Sequence, residues 1–231
     1  MKWANKTLKI LTATSAFVGV IVSVFSALDD NFTHRYKRLM YFTAQSNLWI
    51  GITFTLVLLF PLFRLKNKEK WERKLYIIKY IFTVSITMTG LVFCAILAPF
   101  APPDYRAWEF CNVLTHVVTP TLAIADFIVE KKRIRLTARH VFASLLPPFF
   151  YFTTASILGA FHFDFGRGEP YPYFFMNYHS PAGVFGFVRE RPFIGSFYWW
   201  AVFIALMLLI AYAYAKINAR RKARKKTNKK F

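Results

Sequence analysis

Two short sets of polar side chains interrupt the apolar stretches of this sequence at helical spacing. The first lies in "YFTAQSNLW", where Thr43 is followed by Ser46 and Asn47 at steps of three and four residues. Those steps put the three on one helix face, with Gln45 rotated away. The second lies in "WEFCNVLTHVVTPTLAIADFIV", where Glu109, Asn112, His116 and Thr119 recur at the same steps. A Thr hydroxyl is a poor nucleophile until a neighbouring base accepts its proton, and His is the usual base. Such a pair can attack an ester carbonyl, pass through an acyl-enzyme and release it to water. Asn112, one turn before His116, or Asn47, one turn after Thr43, can orient the imidazole or donate to the oxyanion. Glu109 is an alternative orienting group.

Each of these residues also has a plain structural role open to it. Ser and Thr in apolar helices commonly bond their own backbone, and Asn47 and Asn112 can join helices. His116 stands apart, because an ionisable side chain within an apolar helix is a functional candidate by default. Pro120 bends its helix or frees a carbonyl near the site. Asp126 is expected to reach the polar boundary.

The elements that carry these residues are set by composition. The chain is 56% hydrophobic and 19% aromatic, with 27 Phe in 231 residues. One small soluble core would not bury so many large apolar residues. They fall in runs, from Ile10 to Leu28, Leu39 to Phe63, Tyr80 to Pro103, Phe110 to Ala125, Val141 to Phe161 and Pro192 to Ala215. A spanning helix needs roughly 20 residues, and lipid demands that backbone groups be satisfied within the segment. The expected fold is therefore an all-α membrane protein with six transmembrane helices, at about 8–28, 39–63, 75–99, 108–129, 138–161 and 193–217. Residues 1–217 form one domain, and 218–231 a basic tail.

The formal net charge of +20 has a simple distribution. With the N-terminus placed inside, one side holds Lys2, Lys6, Lys9, "RLKNKEKWERK", "EKKRIR" and "KINARRKARKKTNKKF"; the other holds Arg35, Lys37, Arg38, Arg106, Arg167, Arg189 and Arg191. The bias is about threefold and implies that both termini are cytoplasmic, in a multi-pass cell-membrane protein. Anionic lipid accounts for the basic tail, so no nucleic-acid partner is expected. The first apolar run imitates a secretory signal, but it is long for one and is expected to remain as a helix.

Under that topology Thr43 lies about 6 Å and His116 about 12 Å below the outer boundary, which ordinary helix tilt reconciles. The loop "FHFDFGRGEPYPYFFMNYHSPAGVFGFVRER" is on the same side, is rich in aromatic residues and is able to cover the pair. His162 and His179 also lie there but lack a recognised ligand spacing with His116, so no metal or cofactor is expected. Cys94 and Cys111 fall in apolar runs and imply no disulfide framework.

Three motifs, in order, resemble those of the androgen-induced-protein family of six-helix membrane proteins. "YFTAQSN" looks like the family's segment early in the second helix, which maps its Thr onto Thr43. "NVLTHVVTP" is similar to the family's Asn, His and Pro pattern and maps its His onto His116. "YPYFFMNYHSPAG" resembles the segment before the last helix and adds Tyr171 and Pro172 as supporting or substrate-binding residues. The "AQSN" after Thr43 is more polar than in the animal members, and the His-to-Pro spacing is one residue shorter. Animal members hydrolyse fatty acid esters of hydroxy fatty acids. The resemblance thus implies a lipid ester hydrolase with Thr43 as nucleophile and His116 as base, supported by Ser46, Asn47 and Asn112. A non-enzymatic membrane protein, transporting a solute or binding lipid through the same polar cluster, is the competing expectation.

Overall fold

The computed structural model describes residues 2–25, 36–64, 66–103, 105–130, 134–166 and 168–227, and the side chains of all these except 2–4 and 221–227. Among them the secondary structure is helical, with one isolated antiparallel bridge between Phe187 and Ile194. Six helices are long and apolar enough to cross a membrane: Asn5–Phe25, Phe42–Leu62, Lys68–Leu97, Phe110–Val129, Ala138–Ala160 and Ser196–Arg220. They are referred to below as the first to sixth spans. Large apolar side chains face outward on them, including Leu62, Phe150 and Leu209 at 76%, 64% and 64% exposure. Water would not tolerate so much outward apolar surface, whereas lipid does.

Charge placement explains where the helices outrun the expected bounds. The backbone is helical from Lys2, from Lys68 rather than 75, and through Thr227 rather than 217. Apolar length sets how much of a helix can sit in hydrocarbon, but Lys, Arg and Glu are good helix formers and let the backbone ladder continue beyond it. The expected extension of the first helix over 26–28 lies outside the described residues, as do Arg35, Lys131, Lys132, Arg133 and Arg167.

The third span is the central one, with 56% of its most apolar window buried, against 17% for the fifth. It can be central despite "TVSITMT" because its hydroxyls are satisfied locally. Thr83, Ser85, Thr87 and Thr89 each donate to the carbonyl four residues before, at 2.7–3.2 Å. It joins the sixth span through Tyr76 to Asn218, Tyr80 to the Ala211 carbonyl and Thr87 to Tyr214, each 2.8 Å. Ala16, Ile50, Phe54, Ile86 and Ala123 close a second core among the first four spans.

Two glycines bring the fourth span close to its neighbours. A Cβ on Gly19 would lie 2.7 Å from Thr115 Cγ2, and one on Gly90 would lie 2.8 Å from the His116 carbonyl oxygen. The segment carrying His116 is thereby clamped between the first and third spans, as small residues allow in membrane helices.

The two ends of the bundle differ in chemistry. At the end where the first span begins and the fourth finishes, Lys9, Lys79, Asp126 and Glu130 form a compact ion cluster. Lys9 Nζ is 2.5 Å from Asp126 and 3.0 Å from Glu130; Lys79 contacts Asp126 and lies 2.9 Å from Glu130. Asp126 is fully buried, not at the polar boundary as the sequence suggests, because the two lysines supply countercharge inside the bundle. At Glu130 burial opposes ionisation, but Lys79 and Lys9 outweigh it and hold the carboxyl down to about 2.

Candidate active site

The opposite end gathers Thr43, His116 and the loop between the fifth and sixth spans. The second span enters helix at Phe42, after Tyr41 in extended conformation. Thr43 is thus in the first turn, where backbone N–H groups have no partner within the helix. Its N–H instead donates to the Tyr173 hydroxyl at 3.3 Å.

Two wide turns shape the other half of the site. Phe93–Leu97 and Leu114–Val118 are π-helical, a geometry frequent at functional sites. Phe93 and His116 stack face to face across them, with ring centroids 3.8 Å apart and planes 20° from parallel. Pro120 has no N–H to give to the turn before it. Asn47 Nδ2 supplies a bond to the Thr115 carbonyl there, at 3.1 Å, and another to the Thr43 carbonyl at 2.8 Å.

Thr43 Oγ1 lies 3.1 Å from His116 Nε2 and 3.4 Å from the Tyr173 hydroxyl. On the far side of the ring, His116 Nδ1 is 3.0 Å from the Asn112 carbonyl oxygen. A carbonyl can only accept, which assigns the proton to Nδ1 and leaves Nε2 as an acceptor facing the Thr43 hydroxyl. Thr115 Oγ1, also 3.0 Å from Nδ1, donates its own proton to the Cys111 carbonyl and so offers Nδ1 a lone pair. His116 as a residue is 6% exposed, so this tautomer is held away from competing water.

The remaining sequence candidates divide by what they touch. Ser46 Oγ bonds the Thr43 carbonyl at 3.1 Å and Thr89 at 2.9 Å, tying the second span to the third. The Asn47 amide nitrogen serves the two carbonyls above, while its Oδ1 is buried without a hydrogen-bond partner among the described residues. The Asn112 side chain turns to Tyr105 and the Arg106 carbonyl, at 3.2 and 3.1 Å; it is the Asn112 backbone that meets His116. Glu109 is exposed and ends 4.0 Å from Arg106. Tyr171 is half-buried in the loop, its phenol pushed up to about 12 by burial and by a bond with Glu169. Pro172 is buried, and Tyr173 beside it makes the contacts to Thr43. His162 and His179 stack on each other with centroids 6.4 Å apart, and the described residues contain no group of three potential metal ligands.

Tyr173, Thr115 and Phe93 escape the sequence reading. Tyr173 carries a weak signal: it stands two residues after Tyr171 in "YPY", so an extended segment turns the two tyrosines similarly. Phe93 carries none, because one Phe among 27 is not distinguishable by type.

The loop is packed onto the bundle. Phe165, Phe175 and Met176 are buried in the main core. Lys37 Nζ pairs with Asp164 at 2.6 Å, and that bond, with the Gly166 N–H, holds the Asp164 carboxyl below its ordinary value. Beneath the loop an apolar cavity of about 170 Å³ is lined by Thr43 and Tyr173 together with residues of the third, fifth and sixth spans. Burial pushes the Tyr173 phenol above its ordinary value, so it keeps its proton. Its oxygen accepts the Thr43 N–H, and with the Thr43 hydroxyl proton facing Nε2 the Tyr173 proton is the one left for the 3.4 Å contact with Thr43 Oγ1.

No known protein family, curated protein or solved structure matches this chain.

Proposed function

We propose that this chain is a polytopic cell-membrane hydrolase of lipid esters, with both termini cytoplasmic, Thr43 as nucleophile and His116 as general base. One observation carries the reading: the Thr43 hydroxyl stands 3.1 Å from a His116 nitrogen whose other face is fixed by a carbonyl. Hydrogen-bond reach and an oriented base are the geometric requirements for an activated hydroxyl nucleophile. The likeness of "YFTAQSN" and "NVLTHVVTP" to the androgen-induced-protein family supports the same assignment, and the bias of Lys and Arg supports the orientation.

In the proposed reaction, Thr43 Oγ1 attacks the ester carbonyl carbon while His116 Nε2 takes the hydroxyl proton. Nδ1–H keeps its bond to the Asn112 carbonyl, which stabilises the imidazolium. The carbonyl oxygen gains charge in the tetrahedral intermediate, and the Tyr173 O–H is the nearby donor able to meet it. Collapse breaks the bond to the alcohol, which leaves with the Nε2 proton. Water then repeats the sequence on acyl-Thr43, His116 taking and returning one proton, and a carboxylic acid is released. No metal or cofactor enters this scheme.

The test is turnover and labelling of the purified protein. A fluorophosphonate is expected to modify Thr43, and Thr43→Ala and His116→Ala are each expected to lower hydrolysis of a lipid ester at least a thousandfold. Parent-like turnover in either variant refutes the assignment. An unlabelled Thr43 together with no turnover by the parent favours a non-enzymatic bundle.

A further inference from the structure

We propose that the cavity between the third, fifth and sixth spans is an acyl-chain site, filled sideways from the bilayer between the fifth and sixth spans. The inference rests on the hydrolase reading only for the fate of the chain; its occupancy stands on the cavity itself.

The lining is the first argument. Met88, Val92, Leu97, Phe152, Phe203 and Met207 are among its walls, and no charged side chain borders it. Its polar side chains are hydroxyl-bearing apart from the Trp200 indole, and Thr43 and Tyr173, 3.4 Å apart, stand side by side in its wall. Such a space rejects a charged or strongly hydrated ligand, because nothing replaces the lost water. Hydrocarbon with a single ester at its end meets both requirements.

The shape is the second argument. On the sixth span the lining runs from Trp200 to Met207 and on the fifth from Leu145 to Phe152, each stretch covering about 10 Å along the helix at 1.5 Å per residue. The cavity is therefore elongated along the spans, parallel to lipid chains in a bilayer. At about 170 Å³ it suits one chain rather than two.

The opening is the third. Leu146, Phe149 and Ile204 line the cavity and are also 51%, 51% and 40% exposed on the outward face of the bundle. The wall between cavity and surroundings is thus made of side chains that face both. The fifth span is the least buried of the six, which makes the seam beside it the natural place for the wall to part. A lipid enters there without leaving hydrocarbon.

The chemistry assigns the acyl rather than the alcohol arm. Once Thr43 holds the acyl group, that arm stays tethered through the water step while the alcohol departs. The enclosed space beside Thr43 fits the arm that remains, and the loop side is left for the arm that leaves.

The experiment uses the full chain in lipid nanodiscs with two independent readouts. The first is photo-crosslinking of a diazirine-bearing palmitate, with the modified residues mapped by mass spectrometry. The second is the ratio of kcat/KM for palmitoyl and acetyl esters of one fluorogenic alcohol. Two variants narrow the space, Met207→Trp at its depth and Ile204→Trp at its lipid-facing wall, where folding is less at stake.

Crosslinks are expected on Leu145–Phe152 and Trp200–Met207, competed by unlabelled palmitate, retained in Thr43→Ala and weakened in both Trp variants. The palmitoyl-to-acetyl ratio of kcat/KM is expected to fall more than tenfold in both. Excluding two methylenes is enough for that, at about fourfold for each. Crosslinks confined to outward-facing residues and indifferent to both variants overturn the site, whether or not the esters are hydrolysed. Crosslinks in the cavity without hydrolysis of either ester leave the site standing and refute the hydrolase reading. An unchanged palmitoyl preference in both variants overturns the site in an active enzyme.

Discussion

A hydroxyl and an imidazole can make a nucleophile only when the proton positions are right, and here a backbone carbonyl and a phenol set them. The Asn112 carbonyl places a proton on Nδ1, and Nε2 is left to receive one from Thr43. Tyr173 holds the Thr43 amide with its lone pair, and its own proton is the one left for the contact with Thr43 Oγ1. Tyr173→Phe removes that proton while preserving the ring, which packs 5.0 Å from Phe175 and edge-on to Tyr41. In an enzyme of the proposed class, kcat should fall about 10²–10³-fold, the usual loss for one oxyanion donor. Steady-state kinetics check this: a fall in kcat with KM little changed marks a transition-state role, while a change in KM alone assigns Tyr173 to packing.

At the scale of elements, the site depends on how closely the third and fourth spans approach. Gly90 admits the His116 backbone, Pro120 packs against the same glycine, and Phe93 stacks on the imidazole one turn later. Gly90→Ala would put a Cβ 2.8 Å from the His116 carbonyl oxygen and 3.1 Å from Pro120 Cβ. Neither neighbour is the far end of a flexible side chain, so a helix must shift. The expected cost is about 1–3 kcal/mol of stability. A larger effect is expected on activity, since a displacement of about 1 Å at a catalytic base costs on the order of a hundredfold. Thermal unfolding and kcat measured on one preparation separate the two. A variant with a lowered melting temperature and parental kcat shows that the close approach serves packing alone.

Over the whole molecule, the buried ion cluster lies at one end and the hydroxyl–imidazole pair at the other. Lys9, Lys79, Asp126 and Glu130 sum to zero charge, and each cation contacts both anions. Lys79→Met leaves one excess buried negative charge, with an expected loss of about 3–5 kcal/mol. Lys79→Met combined with Asp126→Asn should regain most of it, because Lys9 and Glu130 then balance. The pH dependence has a definite sign. Glu130 is held down to about 2 in the fold, from an ordinary 4.5. Its stabilising contribution is complete above the ordinary value and fades as pH falls through the lower one. The gap between parent and Lys79→Met in thermal unfolding should therefore narrow from neutral pH to about pH 3. A gap that stays constant shows that the Lys79 aliphatic stem, not its charge, supports the bundle.

Taken alone, the sequence determines the number and type of the elements, and the two residues that meet. Apolar runs of spanning length specify helices because unpaired backbone groups in hydrocarbon are so costly, and polar residues at three- and four-residue steps mark a face on each. The meeting of Thr43 and His116 is legible because two such faces fall near the starts of the second and fourth apolar runs, which an alternating topology sends in the same direction from one end. Tertiary structure alone decides what surrounds them. That Asn112 acts through its carbonyl rather than its amide depends on a π turn that residue type does not encode. Tyr173 rather than Tyr171 reaches Thr43 because the loop packs down in one register. Asp126 is buried rather than boundary-seeking because Lys9 and Lys79 arrive from two other helices. Spacing along one helix is a local property fixed by 3.6 residues per turn, whereas contacts between helices depend on packing that many sequences can satisfy in different ways.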